Sequence, residues 1–277
     1  MEIVCLIDNH LEDSRLASEH GLSVYIDQGK EKILFDTGAT GKAVENAMTM
    51  GVELEKVELA IISHGHYDHG GGLEAFLEVN RKAQVYMCQG AAKKHFRIDN
   101  DVVKDIGLDE SVLKKYSERI TYLDEFIQLR DDLFLITSIR QVHAVPEGNK
   151  FLYEEEGLEL VQDSFTHELV MVLKREDGLV VLTGCSHNGI LNILDAVVEK
   201  FPETPLIAVF GGLHLMIPPD DSVVDPRELD IMARKLMEYP IGRIYTGHCT
   251  GIRSYQFLKR IMGDRINYFA TGSRVTI

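Results

Sequence analysis

The sequence predicts an α/β (α+β) protein in which β-sheets pack together with helices outside. Three observations support that reading. Apolar, β-prone runs alternate with helical patterns along the 277 residues. The early runs come in pairs with no helix between them, as in "LSVYIDQGKEKILFD", which reads as a hairpin. The later runs alternate with helices, so the sheets are mixed rather than one doubly wound parallel array.

Strands are expected at 2–8, 22–27, 32–36, 58–63, 83–87, 133–139, 168–174, 179–184, 206–212 and 243–247. Each is rich in Val, Ile, Leu or Tyr and is bounded by Gly, Asp or Asn. Helices are expected at 41–51, 72–80, 109–120, 190–201, 226–239 and 252–263. In 190–201, Ile190, Ile193, Leu194 and Val197 recur at helical spacing and give one apolar face. The stretch 88–132 is more polar and is expected to be a helical insertion in a single domain spanning 1–277. The stretch 140–165 carries turn residues and a hairpin-like run, and reads as a flap over a pocket.

The composition is that of a globular chain, 45% apolar, long enough to bury a core without disulfides. Cys5, Cys88, Cys185 and Cys249 form no C-x-x-C pair and read as reduced thiols in a cytoplasmic protein. The start "MEIVCLIDN" has no basic segment and reads as a strand, not a signal peptide. No apolar run approaches the ~20 residues of a membrane span, so no membrane partner is expected. The formal net charge of −15 opposes nucleic acid, whose binding rests on Lys and Arg neutralising phosphates. A small anionic substrate remains compatible, because a bound metal inverts the local field. A homo-oligomer is left open.

Chemistry concentrates in "AIISHGHYDHGGGL", residues 60–73. His64, His66, Asp68 and His69 crowd behind an apolar strand and ahead of a glycine run and a helix. Imidazole suits zinc, iron and related metals, and a carboxylate adds negative charge. An extended stretch aims His64 and His66 to one side, and a turn then lets Asp68 and His69 face a second ion. Four donors in six positions fit two adjacent ions better than one. Gly65, Gly70, Gly71 and Gly72 give the loop room to bend.

"SHGHYDHGGGL" resembles the H-x-H-x-D-H signature of the metallo-β-lactamase fold superfamily, and the resemblance extends over nearly the whole chain. "ILFDTG" (33–38) resembles the superfamily's first motif. "VVLTGCSHNGILNI" (180–193), "VFGGLHL" (209–215) and "YTGHCTG" (245–251) resemble one branch. That branch holds the 7,8-dihydropterin-6-methyl-4-(β-D-ribofuranosyl)aminobenzene 5′-phosphate synthase-like proteins and bacterial metal-dependent hydrolases. The resemblance implies a four-layer αββα sandwich of two mixed β-sheets with outer helices, a site on strand-end loops at one edge, and Asp36 supporting the metal loop.

It also implies two divalent transition-metal ions, zinc first, with iron or manganese as alternatives. His248 matches the superfamily's last histidine. Cys185 stands where many members carry a bridging Asp, and is either a thiolate ligand or a buried structural cysteine. His187 follows an apolar strand and precedes a helix, as the first cluster does, and is taken as a ligand. His214 is a ligand, a proton donor, a substrate contact or a structural histidine. His167, just before a strand, is a candidate for a further ligand. Cys249 would point away from His248 in an extended segment and is read as structural. Helix starts after Gly189 and Gly251 offer N–H groups to an anion, with Arg253 as reinforcement.

The implied activity is a dinuclear metal-dependent hydrolase or transferase, with Asp68 and His214 as catalytic candidates. Metals lower the pKa of bound water toward neutrality and suit ester, lactone or phosphoester hydrolysis. In the synthase branch the same ions would hold a pterin pyrophosphate and stabilise its leaving group. A metal-retaining binding or regulatory module without turnover is the alternative from another class.

Overall fold

The computed structural model describes residues 1–217 and 222–277. They fall into two compact units, Met1–Asp124 with Phe151–His167 and Phe269–Ile277, and Glu125–Lys150 with Glu168–Tyr268. None of the described helices is long and apolar enough to cross a membrane.

The first unit is built on a seven-stranded sheet. Its spatial order is Arg274–Thr276, Glu2–Ile7, Ser23–Asp27, Lys32–Phe35, Leu59–Ile61, Gln84–Cys88 and Ile120–Leu123. The first four strands are mutually antiparallel. The last three join Lys32–Phe35 in parallel. The change of direction follows the connections: a short turn at Gly29 joins antiparallel neighbours, whereas helices carry the chain between parallel ones. The helix Lys42–Met50 ends at Gly51, whose φ of 70° supplies the left-handed cap. Ala43, Val44 and Ala47 from this helix pack with Leu73, Phe76 and Leu77 from Leu73–Val79. Both meet Val4, Leu6, Leu34, Ala60, Ile62, Val85 and Met87 of the sheet. The alternate strand residues Ile3, Cys5, Ile33, Phe35 and Ile61 are also fully buried. That is why these strands read as continuous apolar runs rather than an alternation.

The stretch 88–132 departs from the helical insertion expected of it. Its one α-helix, Glu110–Lys115, is short, and the stretch also holds His95–Asp99, Val102–Asp105, Ile120–Leu123 and Ile127–Arg130 as strands. His95–Asp99 and Val102–Asp105 form a four-stranded sheet with Leu152–Glu156 and Glu159–Gln162. Val102 and Val103 are exposed, so this hairpin lacks the clean polar–apolar alternation that marks a strand.

The second unit has a seven-stranded sheet in the order Ile266–Tyr268, Ile241–Thr246, Leu206–Phe210, Gly178–Leu182, Val170–Arg175, Leu133–Ile136 and Ile127–Arg130. Here the first four are parallel and the remainder antiparallel. Ile190, Ile193, Leu194 and Val197 form the buried face of Ile190–Lys200, as their spacing predicts. They share a core with Leu229, Ala233 and Leu236 of Pro226–Glu238 and with Leu258 and Met262 of Ile252–Met262. Asp225 caps its helix by accepting the Arg227 N–H at 2.8 Å, with Pro226 in the first turn.

Parallel register decides where the chemistry goes. In the first unit Phe35 pairs with Ile61, so Asp36 and the 62–69 loop leave the sheet at one edge. In the second, Leu182 pairs with Phe210 and Phe210 with Tyr245. The loops carrying Cys185 and His187, His214, and His248 therefore leave together from the carboxyl ends of three parallel strands.

Candidate functional site

In the first unit the metal loop is organised by one buried carboxylate. Asp36 accepts the Ser63 N–H at 2.7 Å, the Ser63 Oγ–H at 2.8 Å and the His69 Nδ1–H at 2.7 Å. With its proton spent on Asp36, Ser63 Oγ accepts from His64 Nδ1 at 2.9 Å. Both rings are thereby fixed with the proton on Nδ1 and a lone pair on Nε2, the tautomer assigned from this network. A histidine whose outer N–H is held by a carboxylate or hydroxyl is the usual form of a metal ligand.

His66 is extended, and the turn Tyr67–Gly70 follows it. Asp68 and His69 sit on that turn, with Asp68 Oδ2 3.6 Å from His69 Nε2. The rings of His64 and His69 lie 4.1 Å apart, and those of His64 and His66 4.6 Å. Burial, followed by the neighbouring His167, pushes the His66 imidazole well below its ordinary range, which keeps it neutral and able to donate a lone pair. His20, which the sequence reading missed, places Nε2 3.3 Å from Asp68 Oδ2. It lies 44 residues before the signature, too far for local spacing to reveal it.

The loop is closed by backbone contacts. The Thr37 N–H donates to the His69 carbonyl at 2.6 Å, and the Gly72 N–H to the Gly38 carbonyl at 3.0 Å. A Cβ on Gly72 would overlap the Thr37 and Thr40 carbonyl oxygens, so this position requires glycine for close approach.

In the second unit Glu168 plays the corresponding part. Its carboxylate accepts the His187 N–H at 2.7 Å, the Asn188 N–H at 2.8 Å and Asn188 Nδ2 at 2.9 Å. Burial pushes the Glu168 carboxyl up, outweighing these donors, which favour its ionised form. Asn149 grips His187 twice: Nδ2 donates to its carbonyl at 2.8 Å, and Oδ1 lies 3.1 Å from its Nδ1. The amide orientation fixes the His187 proton on Nδ1 and directs an Nε2 lone pair outward. Glu168 and Asn149 were not identified from sequence, because a lone Glu or Asn carries no motif.

Cys185, His214 and Cys249 bring their donor atoms within 4.8 Å of one another. The sequence expectation placed Cys249 elsewhere. Residues His248–Thr250 instead form a 3-10 turn, which swings the thiol back so that Cys249 Sγ accepts the His214 N–H at 3.3 Å. Burial works to raise this thiol, but hydrogen bonds with the Cys185 and His214 side chains outweigh it and hold Cys249 well below its ordinary range. The His214 ring lies 4.1 Å from that of His187. His248 is buried, whereas Arg253 is exposed in the first turn of its helix. Asp36, Ser186, His214 and His248 all adopt positive φ, between 46° and 59°. Such conformations cost about 1–3 kcal/mol each and cluster at functional loops.

Beside these residues the second unit holds a cavity of about 440 Å³. Val145, Ile190, Leu213, Leu215 and Met232 give it an apolar wall, and its charged lining is Lys235 together with Glu147 and Glu228. Lys235 Nζ lies 3.5 Å from His143 Nδ1, and His143 Nε2 lies 3.0 Å from Asp195. Asn192 Oδ1 accepts the N–H groups of Val142 and His143 at 2.8 and 2.7 Å. This ties one end of the expected flap to the helix Ile190–Lys200.

The family model of the metallo-β-lactamase superfamily matches residues 19–248. The chain belongs to that superfamily. It has the superfamily's α/β fold, with mixed sheets and flanking helices. It is 26% identical over 252 residues to the 7,8-dihydropterin-6-methyl-4-(β-D-ribofuranosyl)-aminobenzene-5′-phosphate synthase of Methanocaldococcus jannaschii, covering 86% of this chain and 83% of that one. Among solved structures, it is similar to Tm1679, described as a metal-dependent hydrolase of the β-lactamase superfamily. There the TM-score is 0.82 with 30% identity, covering 100% of this chain and 99% of the other. The zinc-bound PqqB of Methylobacterium extorquens shares the fold at a TM-score of 0.61 and 12% identity, over 100% of both chains.

Proposed function

We propose that this protein is a metal-dependent hydrolase that binds two divalent ions through His64, His66, Asp68, His69, His187 and His248, with Cys185 as a further donor. The observation that carries the reading is the fixed tautomer of three buried histidines. Asp36 and Ser63 hold the Nδ1–H groups of His69 and His64, and Asn149 holds that of His187. Each ring then presents Nε2 as a lone pair, and zinc takes neutral imidazole in that form. Similarity to Tm1679 supports hydrolysis as the reaction class. Bound ions would supply an activated water and neutralise developing negative charge. The chain's own part is to orient: Asp68 adds a carboxylate steadied by His20, and His214 sits beside His187 within reach of a substrate oxygen or leaving group.

The substrate we propose is a small anionic, phosphorylated molecule with an apolar body. The apolar cavity supports the apolar body, and residues 143–147 of the expected flap contribute to its lining. The anionic group would be drawn by the proposed ions, since the cavity wall carries Glu147 and Glu228 beside Lys235. A second reading, a pyrophosphate-releasing condensation on a pterin, is favoured by the likeness to the archaeal synthase. Zinc-loaded protein should be offered a phosphodiester, a neutral lactone, and a pterin pyrophosphate with and without an aryl acceptor. Hydrolysis of the phosphoester supports the first reading, and acceptor-dependent pyrophosphate release the second. Tight pterin binding with no turnover of anything would instead make the protein a binding module.

A further inference from the structure

Against the His64–His66 stretch lies a buried group that the proposed metal reading does not use. Asp163 Oδ2 is 3.0 Å from His95 Nδ1, both Asp163 oxygens are 3.2 Å from His167 Nε2, and Oδ1 accepts the Phe165 N–H at 2.7 Å. His95 Nε2 faces the Gly90 carbonyl at 3.1 Å. His167 Nδ1 accepts the Gly65 N–H at 3.0 Å. Together with His66, these residues place four buried donor atoms within 4.8 Å of one another, which by composition resembles a metal site.

Hydrogen-bond polarity points elsewhere. The Gly65 N–H can only donate, so His167 Nδ1 must carry the lone pair and Nε2 the proton, which is aimed at Asp163. A metal on Nε2 would displace that proton and set an Nδ1–H against the Gly65 N–H. His95 likewise directs both ring nitrogens at acceptors, the Gly90 carbonyl and Asp163. The group also abuts the loop: a Cβ on Gly65 would lie 2.6 Å from His95 Nε2 and 2.8 Å from the Ala91 carbonyl.

We propose that His95, Asp163 and His167 form a relay that positions the metal loop, with His167 a positioning residue and not a ligand. By holding the N–H of the residue between His64 and His66, it sets the angle at which those two rings leave the backbone. Asp163 orients His167 for that contact, and His95 orients Asp163. The inference rests on the reading that His64 and His66 hold metal.

Two near-isosteric variants separate the roles. His167→Asn puts an amide oxygen where Nδ1 lies and keeps an acceptor for Gly65, while losing the reach to Asp163. His167→Gln keeps a donor near Asp163 but leaves the Gly65 N–H without its acceptor. Zinc content per chain and zinc affinity by chelator competition are measured on the full chain, with apo melting temperatures alongside. The relay predicts wild-type zinc content in both variants. It predicts a small loss of affinity for His167→Asn, which keeps the acceptor for Gly65 but not its support from Asp163, and about ten- to a hundredfold weaker affinity for His167→Gln. The Co2+-loaded absorption spectrum should shift more for His167→Gln than for His167→Asn. Asp163→Asn, a second route should either variant fold poorly, should keep the ion count and lower the affinity. Loss of one ion per chain from these variants would overturn the relay and make the group a metal site. Equal zinc affinity in wild type and His167→Gln would overturn it too. A wild type that binds no zinc overturns the metal reading itself, and the relay's role with it.

Discussion

Asp36 holds three hydrogens at once, on Ser63 N, Ser63 Oγ and His69 Nδ1, and through Ser63 it also sets His64. Asp36→Asn would turn a donor toward at least one of these groups. A buried donor left unmet costs about 1–3 kcal/mol, so the apo protein should melt lower and bind zinc more weakly; calorimetry and chelator competition read the two effects. Asp68 differs, since it touches His20 and His69 by its side chain and is proposed to face the ions. Asp68→Asn should abolish turnover while leaving the apo melting temperature nearly unchanged. A lowered apo melting temperature with undiminished activity per bound ion would make Asp68 structural instead. Arg253, exposed at its helix start, is proposed to reach a phosphorylated ligand. Charge-assisted hydrogen bonds are worth about 1.5–3 kcal/mol, so Arg253→Ala should weaken pyrophosphate binding roughly ten- to a hundredfold with zinc content intact. Unchanged pyrophosphate affinity removes Arg253 from the substrate site.

At the scale of elements, the loops matter because parallel register gathers them. The signature 64–69 was legible because its donors are contiguous and follow an apolar strand. The long helices and buried strands were legible for the related reason that Ile190, Ile193, Leu194 and Val197 mark a face by themselves. Glu168, Asn149 and His20 were not legible, because their partners lie 19 to 48 residues away and only the folded chain brings them together. Cys249 was misplaced because a 3-10 turn, not an extended segment, follows Gly247. The 95–105 hairpin was missed because its exposed valines break the alternation that sequence reading relies on. Glycine placement gives a test at this scale. Gly72 sits against the Thr37 and Thr40 carbonyls, and overpacking of this kind typically costs about 1–3 kcal/mol. Gly72→Ala should therefore lower the melting temperature, with zinc binding weakened because the 36–41 segment must shift. Gly51→Ala is the control for a left-handed cap, since nothing lies within 4 Å of its added Cβ. It should be destabilised by backbone conformation alone, with zinc affinity kept.

At the scale of the whole molecule, a chain of net charge −15 gains from bound cations in two ways. They offset self-repulsion, and they stabilise by mass action any state that binds them. Saturating zinc should accordingly raise the melting temperature, and a chelator should return it to the apo value. The same ions would give an otherwise acidic surface its strongest local positive charge, which is what an anionic substrate requires. All of this depends on the number of ions held. Metal analysis of the purified chain, after reconstitution with zinc and removal of loosely bound ions, is the most direct test. Two ions per chain is the predicted result; less than one ion per chain, after reconstitution with zinc, iron or manganese, would contradict the proposed dinuclear centre.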